Sequence, residues 1–143
     1  MYYTSGMNEI GRLCADELAR MPDIGVAILY GSCAAGKMNQ TSDVDIAVAG
    51  AQRLSIVARA RIAACLARRV RRDVDVIDLQ AISGVLLHQA LAHGTPVLVR
   101  DKPLYAALMK RMLFNQADVM PYYRRLLAAR RTQFFNDHRR SQQ

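Results

Sequence analysis

Cysteine is scarce in this 143-residue sequence: it occurs only at positions 14, 33 and 65, and no CxxC pair is formed. This scarcity excludes a zinc ribbon, a dithiol redox motif and a small disulfide-stabilised scaffold. We therefore interpret Cys14, Cys33 and Cys65 as small hydrophobic residues of a protein in a reducing compartment.

The sequence also lacks a long apolar run. Its most apolar stretch, residues 24–36, is too short and too rich in glycine and serine to span a bilayer. Residues 1–13 lack the basic start and apolar run that are typical of a signal peptide. These two absences predict a soluble, cytoplasmic protein that does not associate with a membrane.

No glycine-rich or proline-rich linker, internal repeat or low-complexity segment divides the chain. Because 52% of the residues are hydrophobic, the composition excludes a disordered chain and suffices for one buried core. We predict a single domain over residues 1–143, with a core at about residues 7–100 and a helical tail over residues 103–136.

Acidic residues are outnumbered, since 12 Asp and Glu face 20 Lys and Arg, for a formal net charge of +8. Such a surplus favours polyanionic partners or an acidic protein surface. The arginines concentrate in residues 53–72 and 121–143. Few exposed aromatic residues accompany them, so a base-stacking platform is not supported and direct nucleic-acid binding is not favoured. The two segments are solvated helix faces or candidate partner surfaces.

Hydrophobic periodicity alternates between helical and extended segments, which predicts an α/β (α+β) fold. Gly94 is placed to cap the third helix, and the last strand is expected at an edge of the sheet. The tail continues the helical pattern from Leu104, with an interruption at Pro121. The predicted helices cover residues 7–21, 52–70 and 81–92, and the predicted strands cover residues 26–30, 43–48, 73–79 and 96–100.

The most informative motif is Gly31-Ser32, followed after ten residues by Asp43-Val44-Asp45. At Gly31 the absence of a side chain lets backbone amides approach a phosphate closely, and Ser32 adds a hydroxyl donor. Asp43 and Asp45 lie two residues apart on a strand and therefore point to the same face. Their mutual repulsion calls for cations, and magnesium binds carboxylates jointly with substrate phosphates. The motif predicts a metal–nucleotide site.

A third carboxylate is expected from a neighbouring strand. Asp75 fits because Val74 and Val76 flank it on the opposite face. Asp73 shares the face of Asp75 but sits at the strand entrance, so it is the fallback. Asp78 points the other way.

Two bridged magnesium ions, typically ~3.5–4 Å apart, would align an attacking hydroxyl, an α-phosphorus and a pyrophosphate leaving group. Asp45 and Asp75 are expected to hold the ion that activates the hydroxyl. Asp43 and Asp45 are expected to hold the ion on the triphosphate, and Asp75 can also accept the hydroxyl proton.

This arrangement resembles the DNA polymerase β-like nucleotidyltransferase superfamily, whose signature is Gly-Ser, a spacer, Asp-x-Asp and a later third Asp. The runs GSCAAGKMNQTSDVDIAV and VDVIDLQAISGVLLHQALAHGTPVLV are similar to its minimal nucleotidyltransferases. The resemblance covers residues 24–100 well and the tail loosely. It implies the polymerase β-like fold, a small mixed sheet flanked by helices with a C-terminal helical extension.

The resemblance implies an enzyme that transfers AMP from ATP to a hydroxyl with the help of two magnesium ions. Many minimal members are the antitoxins of bacterial toxin–antitoxin pairs. Their partner is a HEPN-type ribonuclease toxin, which they silence by adenylylating a tyrosine. The expectation is therefore a type VII-like antitoxin that acts in a hetero-oligomer.

One departure from the family concerns the nucleotide contacts. Many relatives carry Arg before the loop glycine, where this chain has Ala35 before Gly36. Lys37 can place a cation on the phosphates, although lysine orients them less than a guanidinium does. Ser42 completes the nucleotide-binding set of Gly31, Ser32 and Lys37, although a turn that orients Asp43 is the favoured interpretation of this serine.

Two alternatives stay open. The same chemistry can act on a small molecule or an RNA end, although small-molecule enzymes of this type usually have a further domain. A non-catalytic antitoxin that neutralises its partner by binding is the third hypothesis.

Overall fold

The computed structural model describes residues 8–31, 43–114, 124–126 and 128–129. Within these residues helices and strands alternate, as the periodicity predicts, and residues 124–126 and 128–129 are also helical. The elements in chain order are α1 (Glu9–Ala19), β1 (Val26–Tyr30), β2 (Val44–Ala49), α2 (Ile56–Val70), β3 (Val74–Asp78), α3 (Gly84–His93), β4 (Thr95–Val99) and α4 (Lys102–Phe114).

The strands form one mixed sheet in the order β3-β2-β1-β4. Strand β1 pairs antiparallel with both β2 and β4, whereas β2 and β3 are parallel. A parallel pair needs a crossover connection, and α2 supplies it. The mixed sheet and the edge position of β4 are thereby confirmed.

Each face of the sheet is covered by a different pair of helices. Leu18 of α1 and Leu66 of α2 pack with Ile46 on one face. Leu87 of α3 and Leu108 of α4 pack on the other face, where the strands contribute residues such as Ile28 and Ala47. The central strands are buried on both faces, which explains why their sequences are almost continuously apolar.

Two predicted helices begin later than their hydrophobic pattern does. Helix α2 begins at Ile56 rather than residue 52, because the Ser55 side chain accepts a hydrogen bond from the Ala58 amide at 3.0 Å and caps the helix. Helix α3 begins at Gly84 rather than residue 81, after Ser83 at its N-cap.

Gly94 ends α3 as predicted, but with extended rather than left-handed backbone, at φ −78° and ψ 168°. Its amide donates to the Ala90 carbonyl oxygen at 3.0 Å. A Cβ atom at this position would collide with the same oxygen and with the side chain of Ile28. Glycine is therefore needed here because the helix end packs closely on β1, and not because the backbone conformation requires it.

The C-terminal helix is tied to the chain that follows β3. Arg111 of α4 donates hydrogen bonds to the carbonyl oxygens of Leu79, Gln80 and Ile82, the last at 2.9 Å. The predicted helical tail is thus present over α4, while residues 115–123 and 130–143 lie outside the described part. A single domain over residues 1–143 stays a prediction. None of the described helices combines the length and apolarity needed to cross a membrane.

Asp78 is a buried carboxylate, 2% exposed, that joins two loops. It accepts a hydrogen bond from the Leu54 amide at 2.8 Å and another from the Gln80 amide at 2.9 Å. The side chain therefore fixes both the entry to α2 and the turn after β3.

Replacing Asp78 by alanine would leave two amides without an acceptor. We expect Asp78→Ala to lower the free energy of unfolding by about 2–4 kcal/mol, measured by urea denaturation. Asp16→Ala on the exposed side of α1 is the control and should change stability by less than about 0.5 kcal/mol. Equal effects of the two substitutions would contradict this role of Asp78.

Candidate active site

Asp45 and Asp75 lie side by side at one end of the sheet. They are register partners in the parallel pair of β2 and β3, and such strands run about 4.8 Å apart. By the two-residue alternation they share the face of Ala47 and Ile77, which pack against α3 and α4. The half-buried Asp45 and the exposed Asp75 therefore form a carboxylate pair, as the sequence predicts.

Asp43 immediately precedes β2 and is exposed at the same end. The pKa of Asp45 is raised above its ordinary value, first by burial and then by the negative charges of Asp75 and Asp43. Asp43 and Asp75 therefore both lie close enough to Asp45 to repel its charge. Asp73, the fallback, is exposed at the strand entrance and is not among the charges that raise this pKa.

Gly31 is required at its position for two reasons. Its φ of +73° lies in the left-handed region, which side chains disfavour. In addition, a Cβ atom there would lie 2.6 Å from the Oδ2 atom of Asp45. The carboxylate of Asp45 thus occupies the space that the missing side chain leaves open.

Tyr30 lies next to the aspartates. This tyrosine was not identified from the sequence alone. It is the register partner of Asp45 across β1 and β2 and is half-buried. Burial, followed by the charges of Asp45 and Asp75, raises the pKa of Tyr30 to about 12, so the phenol stays protonated at neutral pH. Its position before Gly31 at the end of a buried strand is the signal that could have identified it.

The other predicted residues divide into two groups. Asp78 points away from the pair, as predicted, and is held by loop amides. Ser32, Lys37 and Ser42 lie outside the described residues, together with Ala35. The structure describes the placement of Gly31 alone among the four predicted nucleotide-binding residues, and the nucleotide-binding role of all four stays a prediction.

The donor set fits magnesium in an open site. Carboxylate oxygens are the ligands that magnesium prefers, and it commonly takes one or two of them together with water and substrate phosphates. In the described ranges no three His, Cys, Asp or Glu side chains are grouped so that they could hold a metal ion by themselves. Repelling carboxylates beside the space at Gly31 suit a cation whose remaining ligands come from a substrate.

The family model "Polymerase beta, Nucleotidyltransferase" matches residues 13–103, which is more than half of the chain. The chain therefore belongs to the polymerase beta nucleotidyltransferase family, which confirms the resemblance drawn from the motif.

Among curated proteins, the protein adenylyltransferase MntA of Shewanella oneidensis is 37% identical over 87 residues. The match covers 61% of this chain and 60% of MntA, so the chain spans about three fifths of the length of this curated relative.

Solved structures extend the similarity over most of the chain. A chain in the crystal structure of a toxin–antitoxin with AMP-PNP is 26% identical at a TM-score of 0.62, covering 88% of this chain and 96% of that one. A chain in the complex of a tri-AMPylated Shewanella oneidensis HEPN toxin with its MNT antitoxin is 25% identical at a TM-score of 0.52, covering 88% and 97%. The predicted polymerase β-like fold is confirmed.

Gly84 offers a matched control for Gly31, because its φ is +62° and nothing lies within 4 Å of a Cβ atom there. We expect Gly31→Ala and Gly84→Ala each to lose about 1–2 kcal/mol from the left-handed backbone. Only Gly31→Ala should also displace Asp45 and weaken Mn²⁺ binding in the presence of ATP, by about tenfold. Urea unfolding and calorimetric titration measure the two effects, and equal metal binding by both variants would contradict the contact.

The raised pKa of Asp45 predicts a pH-dependent stability. The folded chain binds a proton at Asp45 more readily than the unfolded chain, so the contribution of Asp45 to stability falls as the pH rises above its ordinary pKa of 3.8. Asp45→Asn should therefore be more stable than the native chain at neutral pH without metal, and the difference should shrink towards pH 4. Thermal unfolding across this range tests it, with Asp16→Asn as control, and a pH-independent difference would refute it.

Proposed function

We propose that the chain is a magnesium-dependent protein adenylyltransferase. It transfers AMP from ATP to a hydroxyl, that of a tyrosine, on a HEPN-type ribonuclease toxin, and it acts as the antitoxin of that pair in a hetero-oligomer. The observation that carries the proposal is the register pairing of Asp45 with Asp75 beside Gly31. In a member of a nucleotidyltransferase family, this pairing supplies the carboxylates that the transfer requires.

Asp43, Asp45 and Asp75 are the residues that would hold magnesium. When bound, the metal would neutralise the triphosphate and lower the pKa of the acceptor hydroxyl. Asp45 is central because it is the register partner of Asp75 and feels the charge of Asp43. Asp45 would therefore be the carboxylate that can contribute to both magnesium positions.

The transfer exchanges one phosphoester bond for another. The acceptor oxygen forms a bond to the α-phosphorus of ATP, and the bond from that phosphorus to the pyrophosphate oxygen breaks. The acceptor proton passes to a base, and we assign this role to Asp75, the exposed member of the pair. Pyrophosphate leaves with the electron pair of the broken bond.

Gly31 and Tyr30 lie next to the carboxylates of the site. The missing side chain of Gly31 lets the carboxylate of Asp45 lie against the backbone at this position. Tyr30, protonated at neutral pH, presents a neutral phenol beside the carboxylates and adds no further negative charge. Both residues therefore favour binding of an anionic nucleotide next to an acidic cluster.

The comparisons support the acceptor and the nucleotide. MntA is named as a protein adenylyltransferase, one similar structure contains AMP-PNP, and another contains an AMPylated HEPN toxin with an MNT antitoxin. Family membership and the geometry of the aspartates support the same acceptor and nucleotide for this chain.

The labelling experiment uses the chain purified with its HEPN-family partner, magnesium and ATP labelled at the α-phosphate. Label should appear on the partner, and Asp43→Asn combined with Asp45→Asn should abolish it. Unchanged labelling of the partner by the double variant would contradict the proposal. Label on added RNA or on a small molecule, with none on the partner, would favour the alternative acceptors.

A cell-survival assay distinguishes the enzyme from an antitoxin that works by binding alone. The double variant should still bind the partner but no longer protect cells from it. Full protection by the double variant would favour the non-catalytic alternative.

Asp75 and Asp73 form a matched pair for the third carboxylate. Both are exposed and both lie at the entrance of β3, two residues apart. We expect Asp75→Asn to slow AMP transfer by about 10²–10⁴-fold, because it removes a metal ligand and the proton acceptor. Asp73→Asn should change the rate by less than about threefold. The opposite order of rates would make Asp73 the third carboxylate.

A further inference from the structure

Helix α2 ends in a cluster of exposed arginines, Arg68, Arg69 and Arg71, here called the arginine cluster. In the part of the chain that the structure describes, neither Arg69 nor Arg71 makes a salt bridge. Arg68 makes only a long contact of 3.8 Å with the Sγ atom of Cys65. The three guanidinium groups are therefore available to a partner.

Arg71 adopts a backbone conformation that favours glycine. Its φ is 56° and its ψ is 42°, and its amide closes the helix by donating to the Ala67 carbonyl oxygen at 2.8 Å. Glycine occupies such left-handed positions at the ends of helices more stably than any side chain does. In the described chain the Arg71 side chain makes no salt bridge that would offset the cost of this backbone conformation.

The arginine cluster lies beside the candidate active site. Arg71 precedes Asp75 by four residues, so the two Cα atoms are at most about 14 Å apart. Strand β3 is an edge of the sheet in the order β3-β2-β1-β4. Helix α2 covers the face of the sheet opposite the Asp75 side chain and leads directly into this edge strand, so a protein bound around the open edge would contact both the arginine cluster and Asp75.

The outer side of α2 fits a protein surface better than RNA. Residues 53–72 contain no acidic and no aromatic residue, so the face is basic but has no platform for base stacking. Towards its start the helix exposes Ile56 and Val57, which are 78% and 61% exposed. An aliphatic, arginine-rich helix face of this kind complements an acidic protein surface with apolar contacts.

We propose that the arginine cluster is the docking surface for an acidic face of the acceptor protein and sets the direction from which its hydroxyl reaches Asp75. The inference rests on the proposed function, because it assumes that the acceptor is a protein. Beyond the proposed function, it specifies the surface that binds the partner, the sign of the charge on the partner and the direction from which the partner approaches Asp75.

The test compares two triple variants that lose the same number of positive charges. The first is Arg68→Ser, Arg69→Ser and Arg71→Gly. The control is Arg12→Ser, Arg53→Ser and Lys102→Ser, all exposed residues on other elements or loops. Binding to the co-expressed HEPN-family protein is measured by calorimetry without ATP, with Asp43→Asn and Asp45→Asn also present, so the result does not depend on catalysis.

We expect the first variant to bind the partner about tenfold more weakly, with a smaller dependence on salt, and the control to stay within about twofold. In active enzyme the loss should appear in the KM for the partner rather than in kcat. Arg71→Gly alone should raise the midpoint of thermal unfolding while it weakens partner binding, an outcome that a purely structural role for Arg71 does not produce.

Equal partner binding by the two triple variants would overturn the inference. So would a loss confined to binding of a fluorescent 20-nucleotide RNA, which would reassign the cluster to nucleic acid. If the partner is bound through the cluster but never labelled, the proposed function fails while the docking surface stands.

Discussion

Parallel pairing of β2 with β3 is the constraint on which the rest of this structure depends. The pairing brings Asp45 of one strand next to Asp75 of the other, although 29 residues separate them along the chain. It also requires a crossover, and α2 provides one that covers the face opposite the aspartates. The helix therefore ends near the carboxylates without packing over them. The positions of the candidate active site, of the crossover helix α2 and of the arginine cluster therefore all depend on the backbone hydrogen bonds between β2 and β3.

Several residues at this end of the sheet depart from what stability alone would favour. Asp43 and Asp75 repel the charge of Asp45, the glycine at position 31 leaves room for Asp45, and Arg71 occupies a left-handed position. Such departures are typical of functional sites, where surrounding structure compensates for local strain and repulsion. The compensation here is the apolar sheet itself, because its strands are buried on both faces immediately beyond the aspartates.

The opposite end of the sheet is held by hydrogen bonds between polar side chains and the backbone. Asp78 accepts two loop amides, and Arg111 donates to three carbonyl oxygens after β3. Arg100 donates to the carbonyl oxygens of Ala19, Met21 and Ile24 and so closes the end of α1. These two arginines belong to the fold, so the basic surplus of the composition is only partly a partner surface.

Local pattern was sufficient for the strands and for the family, and it also predicted that Asp45 and Asp75 each point to one face of their strand, because alternation determines which side chains share a face. The helix starts were misplaced by three or four residues, since Ser55 and the distant carboxylate of Asp78 hold positions that hydrophobic periodicity assigns to a helix. Tyr30 was missed because its position before Gly31 indicates only the end of a strand, whereas cross-strand register places it beside Asp45. The sequence alone thus determined the family and the order of helices and strands, and it singled out the aspartates as candidates for the chemistry. Tertiary structure decided which of them meet, because register and burial arise between segments that are distant in the chain.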